Sequence, residues 1–253
     1  MCTLTVRFAP EDDYPVIIAA NRDEFYNRFS AMPAIIETDP LIFAPKDMEA
    51  GGTWIGINEY GLLAAITNVW VETDSGGMSP GPDGDRSRGL LTVDILHSKT
   101  LEQAAEMLHE NITKFQYQYF NLLIASNKGF AVFCYTGKLE GGEISDSATV
   151  INNQPYQRLD GSQSTILPFP KTENEERGWI KNIQSSLSRH PDICKHLDLY
   201  GTCCSQIIAI SHRNETSISP LFPDKFWFAG GSPCETPFAD LTQYISWNHV
   251  KLD

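Results

Sequence analysis

The chain opens "MCTLTVRF" (Met1–Phe8) and a little later reads "AANRDEF" (Ala19–Phe25). Between them, "APEDDYP" (Ala9–Pro15) carries two prolines and a run of acids that cannot continue a ladder. Leu4–Phe8 and Val16–Ala20 therefore read as the arms of an antiparallel hairpin. A hairpin returns the end of its second arm to the start of its first. The polar cluster Asn21-Arg22-Asp23-Glu24 is accordingly expected beside Cys2. Alternate strand residues face opposite sides, and the reading places Asn21 and Asp23 toward Cys2, with Arg22 and Glu24 on the other face.

Outward from this hairpin the same patterns recur. In "AGGTWIGINEYGLLAAITN" (Ala50–Asn68), Thr53–Ile57 and Leu62–Thr67 form a second strand pair around the turn Asn58-Glu59-Tyr60-Gly61. Residues 71–84 shift to Gly, Pro, Ser and Asp and predict a mobile loop. Ser87–His97 predicts a helix. Thr100 and Gln103 make a capping box ahead of a second helix, with Leu101, Ala104, Ala105 and Leu108 on one face. "FNLLIAS" (Phe120–Ser126), the turn Asn127-Lys128-Gly129 and "FAVFCYT" (Phe130–Thr136) make a third hairpin, and Thr149–Asn153 a short strand. Residues 173–190 predict a helix with Trp179, Ile180, Ile183 and Leu187 on its apolar side; "SQIIAIS" (Ser205–Ser211) and "KFWFA" (Lys225–Ala229) are late strands. Strand pairs, then helices, then strand pairs again suit an α+β domain, 1–253, of two antiparallel sheets covered by helices.

At 253 residues and 42% hydrophobic the chain can bury a sizeable core. No stretch approaches the roughly 20 apolar residues of a bilayer span, so a soluble, cytoplasmic protein without stable membrane insertion is expected. A net charge of −13 argues against nucleic acid as a partner; oligomeric state is not legible. Six cysteines without an export signal are expected as thiols. Cys194-Lys-His196 and Cys203-Cys204 lack the paired Cys-x-x-Cys spacing of structural zinc sites, so no metal is expected. Cys134 and Cys204 read as buried small hydrophobes.

Cys2 offers chemistry if Met1 is removed. One residue then carries a thiol and a free α-amine, with ordinary pKa values of about 8.5 and about 7.7–8.0, so the amine can take the thiol's proton. A nucleophilic thiol is expected to ionise below its usual range. Asp23 and Asn21 could orient the amine. Acyl transfer further needs donors for the developing oxyanion. Asn153, in "TVINNQP", is a candidate side-chain donor and Asn68, in "AAITN", a candidate backbone donor; both could equally be strand-end asparagines that cap turns.

"MCTLTVRF", "ANRDEFYNR", "EAGGTWIGINEYGLLAAITN", "SRGLLTVDIL", "FNLLIA" and "YGTCCSQIIAIS" together resemble the successive signatures of the NRDE family, also called the Transport and Golgi organisation protein 2 family. That family is similar to N-terminal-nucleophile hydrolases of the choloylglycine hydrolase and penicillin V acylase type. The resemblance implies a four-layer αββα sandwich. It also implies Cys2 as nucleophile, Asn21 and Asp23 as the Asn and Asp of an Arg-Asn-x-Asp motif, Asn68 as backbone oxyanion donor and Asn153 as side-chain donor. Two arginines of the pattern are missing: the motif arginine is Ala20, and the arginine of the Tyr-Gly-Thr-Arg-Thr run is Cys203. Arg22, expected away from the face of Ala20, does not replace them.

The implied activity is hydrolysis of a non-peptide amide through a Cys2 thioester. Links of family members to haem mobilisation and to lipid or acyl-CoA homeostasis imply an alternative, a carrier that uses the same pocket without turnover. The partner is in either case a small amide, acyl or haem-like molecule. Haem is expected only as cargo, because no Cys-x-x-Cys-His attachment motif occurs; no cofactor is expected.

Overall fold

The structure, a computed structural model, describes residues 2–145, 148–156, 176–213, 220–221, 223–245 and 247. Its first strands are β1 (Thr3–Phe8), β2 (Val16–Phe25), β3 (Ser30–Thr38), β4 (Leu41–Asp47), β5 (Ile55–Asn58), β6 (Leu63–Asn68), β7 (Val71–Glu72) and β8 (Met78–Ser79). Helices α1 (Arg88–Leu96) and α2 (Leu101–Lys114) follow, then β9 (Phe120–Ser126), β10 (Gly129–Tyr135), β11 (Leu139–Ser145) and β12 (Thr149–Ile151). The last elements are α3 (Glu176–Leu187), β13 (Tyr200–Ile210), β14 (Lys225–Ala229) and β15 (Ala239–Asp240).

Two large antiparallel sheets result. One runs β12-β1-β2-β13-β14-β15 and the other β11-β10-β9-β6-β5-β4-β3. They pack face to face over a core that takes Val16, Ile18 and Ile208 from the first sheet and Ile55, Ile57, Leu63 and Leu123 from the second. Phe43 and Phe226 meet edge to face across it, with ring centroids 5.1 Å apart. The outer face of the second sheet, including Leu62, Ala64 and Leu122, is covered by Leu91, Ile95 and Leu108 of α1 and α2. The outer face of the first sheet, Ile17, Ala19 and Ile207, is covered by Ile183 and Leu187 of α3. The architecture is an αββα sandwich. It explains the unbroken apolar run Val16–Ala20, since a strand covered on both faces has no reason to alternate.

Both helix starts follow from their caps. The Ser87 hydroxyl accepts from the Gly89 amide at 3.1 Å, and the Thr100 hydroxyl from the Gln103 amide at 3.2 Å. No helix among the described residues is long and apolar enough to cross a membrane.

The sequence misses β3, β4, β11 and the two-residue β15. β3 and β4 each contain a proline, and their ladder shifts register twice, so the period-2 signal is broken. β3 is an edge strand, where a missing amide is tolerated. Within 71–84, expected as a loop, β7 and β8 pair as a short hairpin. The strand expected over Thr149–Asn153 ends at Ile151, β2 continues to Phe25, and β13 begins at Tyr200 instead of Ser205. Residues 173–175 of the expected helix lie outside the described residues.

The start of α1 lies directly on the Gly51-Gly52-Thr53 segment, where the Thr53 amide donates to the Gly89 carbonyl at 3.1 Å. A Cβ on Gly52 would stand 2.2 Å from the Gly89 carbonyl carbon and 2.5 Å from the Leu90 nitrogen, both backbone atoms that cannot rotate away. Gly52→Ala should therefore destabilise the fold by about 1–3 kcal/mol. Thermal denaturation should show a melting temperature lower by about 2–4 °C for each kcal/mol.

Candidate active site

Cys2 stands just ahead of β1. The ladder pairs Thr3 with Asn21, so its continuation sets Cys2 opposite Arg22, and the α-nitrogen of Cys2 between the levels of Arg22 and Asp23. On its other side β1 pairs Leu4 with Ile151, which carried two residues further sets Cys2 opposite Asn153. The Cys2 thiol donates to the Asp23 carbonyl oxygen at 3.7 Å. It lines a cleft of about 460 Å³ together with Arg22, Trp54, Asn68 and Arg88.

Parity along β2 corrects the expected orientation of the polar cluster. Residues directly opposite on paired strands share a face, so Arg22 shares that of Cys2 and Ala20, and Arg22 and Glu24 line the cleft. Asn21 and Asp23 belong to the opposite face, beneath α3. Asn21 is committed there: its Nδ2 donates to the carbonyls of Leu187 at 3.0 Å and Ile193 at 3.1 Å, and its Oδ1 accepts from Ser205 at 2.6 Å. These bonds pin the end of α3 to the sheet, and Asn21 is not placed to orient Cys2.

Asp23 is only 3% exposed. Its Oδ1 accepts from the Thr202 hydroxyl at 2.6 Å, and its carbonyl also accepts from the Tyr200 hydroxyl at 2.8 Å. Burial raises its carboxyl pKa above the usual range. A β-bulge makes the Thr202 contact possible. Thr202 pairs with Asp23 and Cys204 with Arg22, leaving Cys203 as the extra residue. Without that insertion Thr202 and Cys204 would share a face. With it Thr202 reaches Asp23 on the outer side while Cys204 enters the core. Cys203, where the family pattern expects arginine, is the bulge.

The cleft wall carries Arg22, Arg28, Arg86 and Arg88. Arg22 lies over the Trp54 ring, 4.5 Å from its centroid, with Glu24 and Asp47 oxygens each at 3.8 Å. Arg28 pairs with Asp47 at 2.8 Å and Arg86 with Asp94 at 2.6 Å. Arg88 donates to the Tyr119 carbonyl at 2.9 Å and has no carboxylate partner among the described residues. Burial, and then Arg28, draws its pKa down to about 10, so it remains a cation at neutral pH. The sequence carried an unread signal for it. Arg88 is the first residue of α1, where the helix dipole disfavours positive charge.

Asn68 and Asn153 are in direct contact. Asn153 Nδ2 donates to the Asn68 carbonyl at 2.7 Å, which uses one of its two amide hydrogens. Asn121, which the sequence does not single out, holds the Asn153 segment by donating to the carbonyls of Asn152 at 3.0 Å and Gln154 at 2.8 Å. Its signal is an amide side chain at the head of the apolar run Leu122–Ala125, where the structure buries it fully.

Away from the cleft, the structure gives Cys194 and His196 a third neighbour. Cys234, 40 residues beyond Cys194, meets both of them, and the three ligand atoms lie within 4.8 Å of one another.

The profile of the family described as Transport and Golgi organisation 2 matches residues 1–197. The chain belongs to that family. A Transport and Golgi organization 2 homolog of Mus musculus is 34% identical over 267 aligned positions, covering 87% of this chain and 92% of the relative. The Homo sapiens homolog is 33% identical over 255, covering 83% and 88%. Among solved structures, a penicillin V acylase from Agrobacterium tumefaciens superposes with a TM-score of 0.54 at 16% identity, covering 96% of this chain and 87% of that one. The C2A mutant of a conjugated bile acid hydrolase from Clostridium perfringens gives 0.51 at 11% identity, covering 95% and 96%. The family member thus shares the αββα fold of these two hydrolases at low sequence identity.

The Cys2 thiol departs from the expectation of a depressed pKa. Burial, and then the Asp23 charge, pushes it up to about 11. Alkylation of Cys2 by iodoacetamide, followed by peptide mass mapping, should therefore accelerate by about tenfold per pH unit from pH 7 through 10. A plateau between pH 8 and 9 would contradict this.

Proposed function

We propose that this chain is an N-terminal cysteine amidohydrolase that cleaves a non-peptide C–N bond in a small acyl amide. The observation that carries this reading is the position of Cys2: its thiol lines the cleft and donates to the Asp23 carbonyl at 3.7 Å, while its α-nitrogen lies between the levels of Arg22 and the buried Asp23. Removal of Met1 frees that nitrogen as an amine. A thiol held near pKa 11 is inert without a base, and the α-amine is the base that needs no further residue.

In this mechanism the amine takes the thiol proton as sulfur attacks the amide carbon. The resulting α-ammonium is held by Asp23, and the oxyanion by the remaining hydrogen of Asn153 Nδ2 and the Asn68 backbone. Collapse breaks the C–N bond, and the ammonium returns its proton to the leaving amine. Water, deprotonated by the same amine, then attacks the thioester and releases a carboxylic acid and the free thiol. Asn21 acts at one remove, by fixing β2 against α3.

Arg88 gives the substrate a sign. As the cleft arginine without a carboxylate among the described residues, it favours an acyl amide bearing an anionic group, in spite of the arginines missing at Ala20 and Cys203. A cytoplasmic setting, in which all six cysteines are thiols, belongs to the same reading.

Intact-mass spectrometry of active protein should show loss of Met1. With a panel of N-acyl amides, Asn153→Ala should lower turnover by about 10²–10³ and leave ligand affinity nearly unchanged. If Asn153→Ala binds as wild type and no acyl group can be trapped on Cys2, the chain is a carrier of lipid, acyl-CoA or haem-like cargo.

Asp23 must be ionised to hold the ammonium, and its pKa is raised. Turnover should therefore fall, as pH drops, at a higher pH than an ordinary aspartate would give. Asp23→Asn should remove that limb of the pH–rate profile and cost about 10²–10⁴ in rate. Arg88→Ala should raise KM for anionic amides by one to two powers of ten, from the loss of about 1.5–3 kcal/mol in a charged hydrogen bond, and leave neutral amides unaffected.

A further inference from the structure

We infer that Cys194, His196 and Cys234 form a binding site for one zinc-class metal ion, on the side of the first sheet opposite the cleft. Cys194 Sγ lies 3.4 Å from Cys234 Sγ and 3.5 Å from His196 Nε2, and the same nitrogen lies 3.1 Å from Cys234 Sγ. Three soft or borderline donors thus make a closed triangle with sides of similar length. Around tetrahedral zinc, with Zn–S of about 2.3 Å and Zn–N of about 2.0–2.1 Å, the corresponding sides would be about 3.6–3.8 Å. An outward shift of a few tenths of an ångström by each side chain admits the ion.

The triangle is built before any ion arrives. Cys194 closes a turn whose amides at Ile193 and Cys194 donate to the Arg189 carbonyl, and its sulfur faces the His196 ring across Lys195. That segment is anchored where the Lys195 amide donates to the Thr202 hydroxyl at 2.8 Å and His196 bridges to Gly201. Cys234 sits in a turn in which the amides of Glu235 and Thr236 both donate to the Ser232 carbonyl. Ser232 in turn donates to the Thr202 carbonyl at 2.9 Å. Both ligand-bearing segments therefore hang from the same residue of β13. His190 stacks on the His196 ring, with centroids 4.6 Å apart, and limits its rotation.

The donor set selects the metal. Two thiolates and an imidazole suit zinc and its borderline neighbours, while the absence of an oxygen ligand in the set argues against calcium and magnesium. Binding releases the two thiol protons and leaves a neutral Zn(Cys)₂(His) unit. Cys234 is exposed, so the fourth position faces solvent and is filled by water. The ion would hold the Lys195 segment against Thr202, whose hydroxyl also donates to Asp23. The site is independent of whether Cys2 is catalytic.

The test uses the full chain, reduced and stripped with a chelator, titrated with Co²⁺ and then with Zn²⁺ in competition with a chromophoric chelator. One equivalent of Co²⁺ should give thiolate-to-cobalt charge-transfer absorption that Zn²⁺ abolishes. Cys234→Ser changes an exposed residue, and circular dichroism checks that its fold is kept. It and His196→Gln should each weaken Zn²⁺ binding by more than the about 10–100-fold that loss of an outer-sphere partner costs. Cys203→Ser should bind as wild type. A missing charge-transfer band, a band of undiminished intensity and affinity in Cys234→Ser, or a Cys194–Cys234 disulfide in peptide maps of freshly isolated protein would overturn the proposal.

Discussion

Strand β2 lies at the middle of its sheet, paired along its length with β1 on one side and β13 on the other, and Val16–Arg22 are buried whichever way they face. Its register admits no slip, because a shift of one residue would exchange the inter-sheet core residues Ile18 and Ala20 for Ile17 and Ala19, which pack against α3. The positions of the other groups follow from it. Cys2 comes level with Arg22, Asp23 with Thr202, and Asn21 with Ser205.

The cleft and the layer beneath α3 consequently divide the work. On the cleft side are the sulfur, the arginines and Asn68, with Asn153 behind it. On the other side are a buried carboxylate and the hydrogen bonds that hold it. The backbone of β2 is the boundary, and the Cys2 thiol touches it through the Asp23 carbonyl. Burial of the thiol, and then the Asp23 charge, makes spontaneous ionisation costly and keeps the resting sulfur protonated. The same surroundings strengthen whatever charge pairing a bound substrate completes, Arg88 included.

Thr202 connects the two halves of that outer layer. Its hydroxyl accepts from the Lys195 amide and donates to Asp23, and its carbonyl accepts from Ser232. One bulged residue, Cys203, makes this possible by reversing the side on which Thr202 projects. A substitution that removed the bulge would move the Asp23 partner to the wrong face and detach the cysteine–histidine cluster in the same step.

The sequence by itself determined what depends on local period and local turn chemistry. The β1–β2 hairpin, the Thr53–Thr67 pair, the capped helix α2 and the β9–β10 hairpin are each written in fewer than 25 consecutive residues. The placement of Cys2 near Asp23 follows from the first hairpin alone, and the αββα class from the order of elements together with the resemblance. Tertiary structure decided what depends on parity and on distant neighbours. Whether Asn21 or Arg22 accompanies Cys2 turns on the register of β1, and whether Thr202 reaches Asp23 on one inserted residue in β13. Among the described residues Arg88 is the cleft cation without a carboxylate because the other arginines find their acids across sequence gaps or from neighbouring turns. Cys234 joins Cys194 and His196 only after β14 has paired with β13 and set the following turn beside Thr202. No periodicity records such meetings, because they are fixed by packing between segments that propensity treats as independent.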